Sequence, residues 1–183
     1  MKTALLKPLG FAFFLGLALL NFSNCNKLLD AFELNSSFSE DFTIDIGPDD
    51  ALVYMDQFDI DLSSNQDFVD NAEHISKFTI KEISYIVVSY IGDEGIMGSG
   101  TTTFYSGSSQ IGDAVVQSDV DFAALYVSGN KVILPVSQAT LNGLSDVLKN
   151  TMKFSMKVEG LVSGKPVYVV LEVTVDVNAN VEP

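Results

Sequence analysis

The sequence predicts an all-β domain, an antiparallel β-sandwich of immunoglobulin-like or related type with two short helices. Three observations predict it. Apolar and polar residues alternate at period two through most of the chain after residue 40, the mark of strands with one buried and one wet face. Glycine- and proline-containing turn signals interrupt that alternation at short intervals. Only two stretches change to helical spacing.

The elements follow in order. "FTIDI" sets Phe42, Ile44 and Ile46 on one face against Asp41, Thr43 and Asp45 on the other, and Gly47-Pro48-Asp49-Asp50 turns the chain. "FDIDL" repeats the pattern with Phe58, Ile60 and Leu62 inward and Asp59 and Asp61 outward. From Ser64 the spacing becomes helical, with Phe68, Ala72 and Ile75 on one side, Ser64 as cap and Asp67 near the positive helix end. Residues 77–92 form the longest strand candidate. Its apolar parity switches near Lys81-Glu82, from Phe78 and Ile80 to Ile83, Tyr85 and Val87, which calls for a β-bulge or burial on both sides.

"GDEGIMGSG" reads as a glycine-rich connection into the strand "TTTFYSG", and residues 108–119 read as irregular and polar. Residues 120–136 read as two strands around a Gly129-Asn130 hairpin turn. "SQATLNGLSDVLKN" is an amphipathic helix with Leu141, Leu144 and Leu148 as its stripe, Ser137 as its cap and Lys149 at its negative end. The last two strands alternate without a fault. Met152, Phe154, Met156 and Val158 line the first, and valines from Val167 to Val177, with Leu171 among them, line the second. No internal repeat and no second domain is visible.

The first residues are of another kind. Lys2 and Lys7 make a short positive head, and Leu9 to Leu20 carries no charge. That run is shorter than the roughly 20 apolar residues that cross a bilayer as a helix. A positive head, a short apolar run and small residues at a cleavage region make a secretory signal peptide. The organisation is therefore residues 1–24 as signal, 25–37 as tether and 38–183 as the sandwich domain.

Phe22-Ser23-Asn24-Cys25 closes that signal, and Cys25 is the one cysteine of the chain. This N-terminus resembles a bacterial lipoprotein precursor. Ser23 stands at the small position two before the cysteine, Phe22 where leucine is usual, and Asn24 where glycine, alanine or serine is usual. The resemblance covers residues 1–25 and implies that Cys25 becomes the mature N-terminus, its sulfur carrying diacylglycerol and the new amine a further acyl chain such as palmitate. More than one chain anchors a protein stably to a membrane. Asn26, rather than aspartate, follows the cysteine and by the same analogy implies the outer membrane of the cell envelope. Ordinary cleavage near Ser23 or Cys25 is the alternative. It would give a soluble secreted protein with a free thiol.

Composition narrows the partners. The chain has no arginine, and Lys plus Arg total 10 against 24 Asp plus Glu, for a net charge of −14. Losing Lys2 and Lys7 with the signal takes this to −16 (−14 − 2). Nucleic acid is excluded as a partner by that balance. A cysteine-based zinc site is excluded as well. The expected partners are the membrane, reached through the lipid, and another envelope protein.

No enzyme is expected. His74, the single histidine, falls on an exposed helix side. Gly98-Ser99-Gly100 lacks the spacing of a nucleophile elbow, and "SGKP" lacks the leading glycine and the helix of a phosphate loop. Two binding features remain. If the first two strands pair, Asp41, Asp45, Asp59 and Asp61 share one outer face, and Ca²⁺ would relieve their repulsion. The structural alternative is a solvated acidic face. Ile96 and Met97, set among glycines, read as an apolar loop tip for a partner, against the alternative of an ordinary long connection. A glycan- or Ca²⁺-binding envelope module is the second functional reading.

Overall fold

A computed structural model of the chain describes residues 31–182. Residues 1–24, expected to be a signal peptide, and Cys25 lie outside the described residues. In order, the elements are β1 (Phe32–Ile46), β2 (Val53–Asp61), a 3-10 turn (Leu62–Ser64), α1 (Gln66–Asp70), β3 (Ile75–Gly92), β4 (Met97–Ser106) and β5 (Ser109–Asp121). They continue with α2 (Phe122–Ser128), β6 (Val132–Ile133), α3 (Gln138–Thr151), β7 (Lys153–Val162) and β8 (Val167–Val181). They build an antiparallel β-sandwich of two four-stranded sheets, ordered β1-β8-β3-β6 and β2-β7-β4-β5. Only the β4–β5 hairpin stays within one sheet; every other strand-to-strand connection passes to the opposite one.

The faultless alternation of β8 puts it at the centre of its sheet. Val169, Val175, Val177 and Ala179 are fully or almost fully buried, and the strand runs four residues past Val177 to Val181. Phe42, Ile44, Phe104 and Phe154 meet this stripe from the other strands, with the Phe104 and Phe154 rings edge-on at 6.3 Å. Interdigitation of two inner faces is what makes a sandwich core.

The parity switch in β3 is a β-bulge. Its register against β8 shifts between Ile80 and Glu82, so Phe78, Ile80, Ile83 and Tyr85 all face the core. At this point α3 covers the strand, and the Ser145 hydroxyl accepts a hydrogen bond from the Ile80 N–H at 3.1 Å. That satisfies an edge donor which β6, only two residues long, does not reach. Ser137 caps α3 by accepting from the Thr140 N–H, and Lys149 at the helix end donates to the Ser76 carbonyl.

Several expectations are corrected. The domain begins at Phe32, so the tether read over residues 25–37 yields Phe32–Ser37 to β1, which pairs there with Val181–Asp176. The first helix is only Gln66–Asp70, and Asn65 rather than Ser64 caps it by accepting from the Asp67 N–H. Ile75 already belongs to β3, and His74 sits in the exposed turn before it. Residues 108–119, read as irregular, form most of β5, whose alternation is broken by left-handed residues at Gly112 and Asp119. Residues 122–128, read as strand, form α2, making three α-helices rather than two among the described residues.

Candidate functional site

The two sequence-derived binding features come apart in the structure. β1 and β2 lie in different sheets, so Asp41 and Asp45 face Glu172 and Tyr168 on β8, while Asp59 and Asp61 face Ser155 and Lys153 on β7. Asp59 accepts from the Ser155 hydroxyl at 2.6 Å and pairs with Lys153 at 3.4 Å. Asp61 caps the 3-10 turn, and hydrogen bonds from Ser63 hold its carboxyl below the usual range. Among the described residues, no three carboxylate, histidine or cysteine groups converge in a way that could hold a metal ion. The common acidic face required strand neighbours in sequence to be neighbours in a sheet, and they are not.

Ile96 and Met97 do not form an exposed tip. Ile96 is 5% exposed and packs on Gly164, where a β-carbon would come 3.0 Å from its Cγ1. The Met97 N–H donates to the Ser163 hydroxyl and its carbonyl accepts from the Ser163 N–H, both at 2.8 Å. The β3–β4 connection is thus clasped by the β7–β8 connection.

A sizeable concavity lies elsewhere, where β5 gives way to α2. The register of β5 against β4 shifts between Gly98↔Val120 and Gly100↔Gln117. Asp119 stands in this bulge with a left-handed φ of 54°, a conformation that aspartate tolerates better than most residues. The chain then turns into α2. Asp121 caps that helix, its carboxylate accepting from the Ala124 N–H at 2.9 Å, and left-handed Gly129 closes it with an N–H to the Leu125 carbonyl. Phe122 enters the sandwich over Gly98, where a β-carbon would fall 2.3 Å from its ring. Asp121 and Gly129 are the residues in the sequence that mark the two ends of α2.

Bulge, helix and β6 surround a cleft of about 590 Å³. Gln117, Ser118 and Asp119 form one wall, Ala124, Leu125 and Ser128 another, and Asn130, Val132 and Pro135 the third. Tyr85 stands at its base and accepts a hydrogen bond from the Gln117 side-chain amide at 3.3 Å. Burial pushes the Tyr85 phenol above its ordinary pKa while the Gln117 bond pulls it back, so the hydroxyl stays neutral near pH 7. Behind this bond lies an inner void of about 40 Å³ between the sheets, lined by Tyr54, Phe122 and Met156 among others. The void has room for a few waters and none for a ligand. The cleft walls carry no lysine or arginine. Nothing in the sequence alone pointed to the cleft, because its walls come from segments read as irregular or as a hairpin.

No family model matches the chain, and no curated protein matches it. Among solved structures, a decameric BFDV capsid protein is similar over 81% of this chain and 98% of its own, at 11% identity and a TM-score of 0.42. A chain from desmodium yellow mottle tymovirus is similar over 100% of this chain and 96% of its own, at 7% identity and a TM-score of 0.33. Neither likeness bears on what this chain binds.

Proposed function

We propose that this chain is an envelope lipoprotein, lipidated at Cys25, that holds a non-catalytic β-sandwich at the membrane as a binding module for another envelope component. One observation carries the reading: a lone cysteine directly behind a positive head and a short apolar run. Support comes from the position of the fold. Only residues 26–31 separate Cys25 from the first strand, a reach of at most about 25 Å at ~3.5 Å per residue. The domain would therefore work close to the bilayer. Its net negative charge gives it no attraction to anionic lipids, which leaves the anchoring to the lipid.

The reading of the domain as a binder rather than a catalyst rests on the chemistry at hand. The single histidine is exposed in a turn, and the cleft holds no nucleophile paired with a base. The test is the intact mass of the protein from the membrane fraction. A mass of residues 25–183 plus diacylglycerol and acyl chain is expected. An unmodified chain recovered from the medium would overturn the anchoring.

A further inference from the structure

We propose that the cleft between the β5 bulge, α2 and β6 binds an uncharged, hydroxyl-rich ligand of the saccharide class. This rests on the binding-module half of the reading above and is independent of lipidation.

Size comes first. About 590 Å³ lies within the roughly 300–1,000 Å³ of small-molecule sites, and the cleft is open to solvent on one side. A ligand can enter without any movement of the sheets.

Charge comes next. With no lysine or arginine on its walls, the cleft offers a phosphate, sulfate or carboxylate no charge-assisted hydrogen bond from a cationic side chain. Asp119 and Asp121 on its walls add negative potential. An anionic ligand would meet repulsion.

Uncharged polar groups then decide between a neutral ligand and a cation. Tyr85, Gln117, Ser118 and Asn130 supply hydroxyls and amides that donate and accept, while Ser128 commits its hydroxyl to the Leu125 carbonyl and the Asn130 N–H. A ligand made of hydroxyls needs both kinds of partner, whereas an ammonium group needs acceptors alone. Of the two carboxylates, Asp121 already spends one oxygen on the Ala124 N–H, which leaves Asp119 to accept from neighbouring ligand hydroxyls. Val120, Leu125, Val132 and Pro135 provide apolar surface suited to the C–H face of a sugar ring.

The experiment uses the full-length mature protein purified in a polyoxyethylene detergent, which carries no sugar. Saturation-transfer NMR is run with three matched pyranoses: glucose, glucosamine and glucuronate. Glucose is expected to receive saturation and glucuronate none. Ala124→Trp, which fills the mouth, and Asn130→Ala, on an exposed loop, are expected to weaken glucose binding at least tenfold with the melting midpoint held. Binding of glucosamine alone would mean that the carboxylates set the site, and would overturn the proposal. So would binding that survives both substitutions, or no binding of glucose or of neutral disaccharides. Hydrolysis of a disaccharide in the same samples would sink the non-catalytic reading and leave the site standing, while failure to bind would leave the anchor untouched.

Discussion

Tyr54 lies across Gly160 so closely that a β-carbon at Gly160 would fall 2.5 Å from the phenol oxygen. The same hydroxyl donates to the Ser99 carbonyl at 3.2 Å, and a β-carbon at Gly100, the strand partner of Gly160, would stand 2.6 Å away. An aromatic ring thus covers two paired glycines across three adjacent strands, β2, β7 and β4.

Gly160→Ala should therefore be severe. Its β-carbon would also meet the Ser99 carbonyl at 2.1 Å, and backbone cannot step aside as a flexible side chain can. A loss of about 2–3 kcal/mol or more is expected from overpacking. Urea denaturation measures it, and a change under about 0.5 kcal/mol would show that the strands separate freely.

Alkaline pH should unfold the domain through its buried phenols. Burial, with Tyr85 adding to it, pushes the Tyr54 pKa up to about 12, and Tyr85 is raised as well. An unfolded tyrosine titrates near about 10. The folded value lies above the unfolded one, so the contribution is complete below pH ~10 and is lost as pH rises towards ~12. Spectroscopic titration of tyrosinate should show Tyr54 ionising late, and Tyr54→Phe should remove that late component. A single transition near pH ~10 with the fold intact would contradict the burial.

Ile96→Ala should cost about 2–4 kcal/mol, as a buried aliphatic truncation does. A partner-binding tip would instead leave the melting temperature unchanged and affect only capture. Thermal melting separates the two outcomes.

Calcium should do nothing. With Asp41 and Asp45 on one sheet and Asp59 and Asp61 on the other, no shared site exists for a cation that wants six to eight oxygens. Millimolar calcium is expected to leave the melting temperature in place. Asp59→Ala should cost under about 1 kcal/mol, since its bond to Lys153 is exposed.

Ser145→Ala should strip the acceptor from the Ile80 N–H at the β3 bulge. About 1–2 kcal/mol is expected for a buried donor left unmatched. Hydrogen exchange at the Ile80 amide should accelerate together with that loss. An unchanged rate would mean that water serves the amide equally well.

The strands with strict period two were legible from residues alone. Lys153–Val162 and Val167–Val181 alternate because one face meets the opposite sheet and the other meets water, and that contrast is written directly into side-chain chemistry. The bulge near Lys81 was legible for the same reason, since a parity switch on a one-sided strand has few other solutions. Ser137 announced its helix because a cap is a contact only three residues long.

Pairing was not legible. Phe42 meets Leu171 across a strand pair more than a hundred residues apart, and it meets Tyr54 only across the gap between sheets, with the rings 5.9 Å apart. Local alternation says that a strand has an inner face and is silent on which strand lies beside it. That choice broke up the acidic face, buried Ile96 against Gly164, and brought Gln117 and Asn130 to one cleft. The sequence by itself determined the strictly alternating strands, the Ser137 helix cap and the lone cysteine behind a short apolar run, because each is a local pattern. The tertiary structure alone decided which surfaces meet, because those contacts are set by packing between segments distant in the chain.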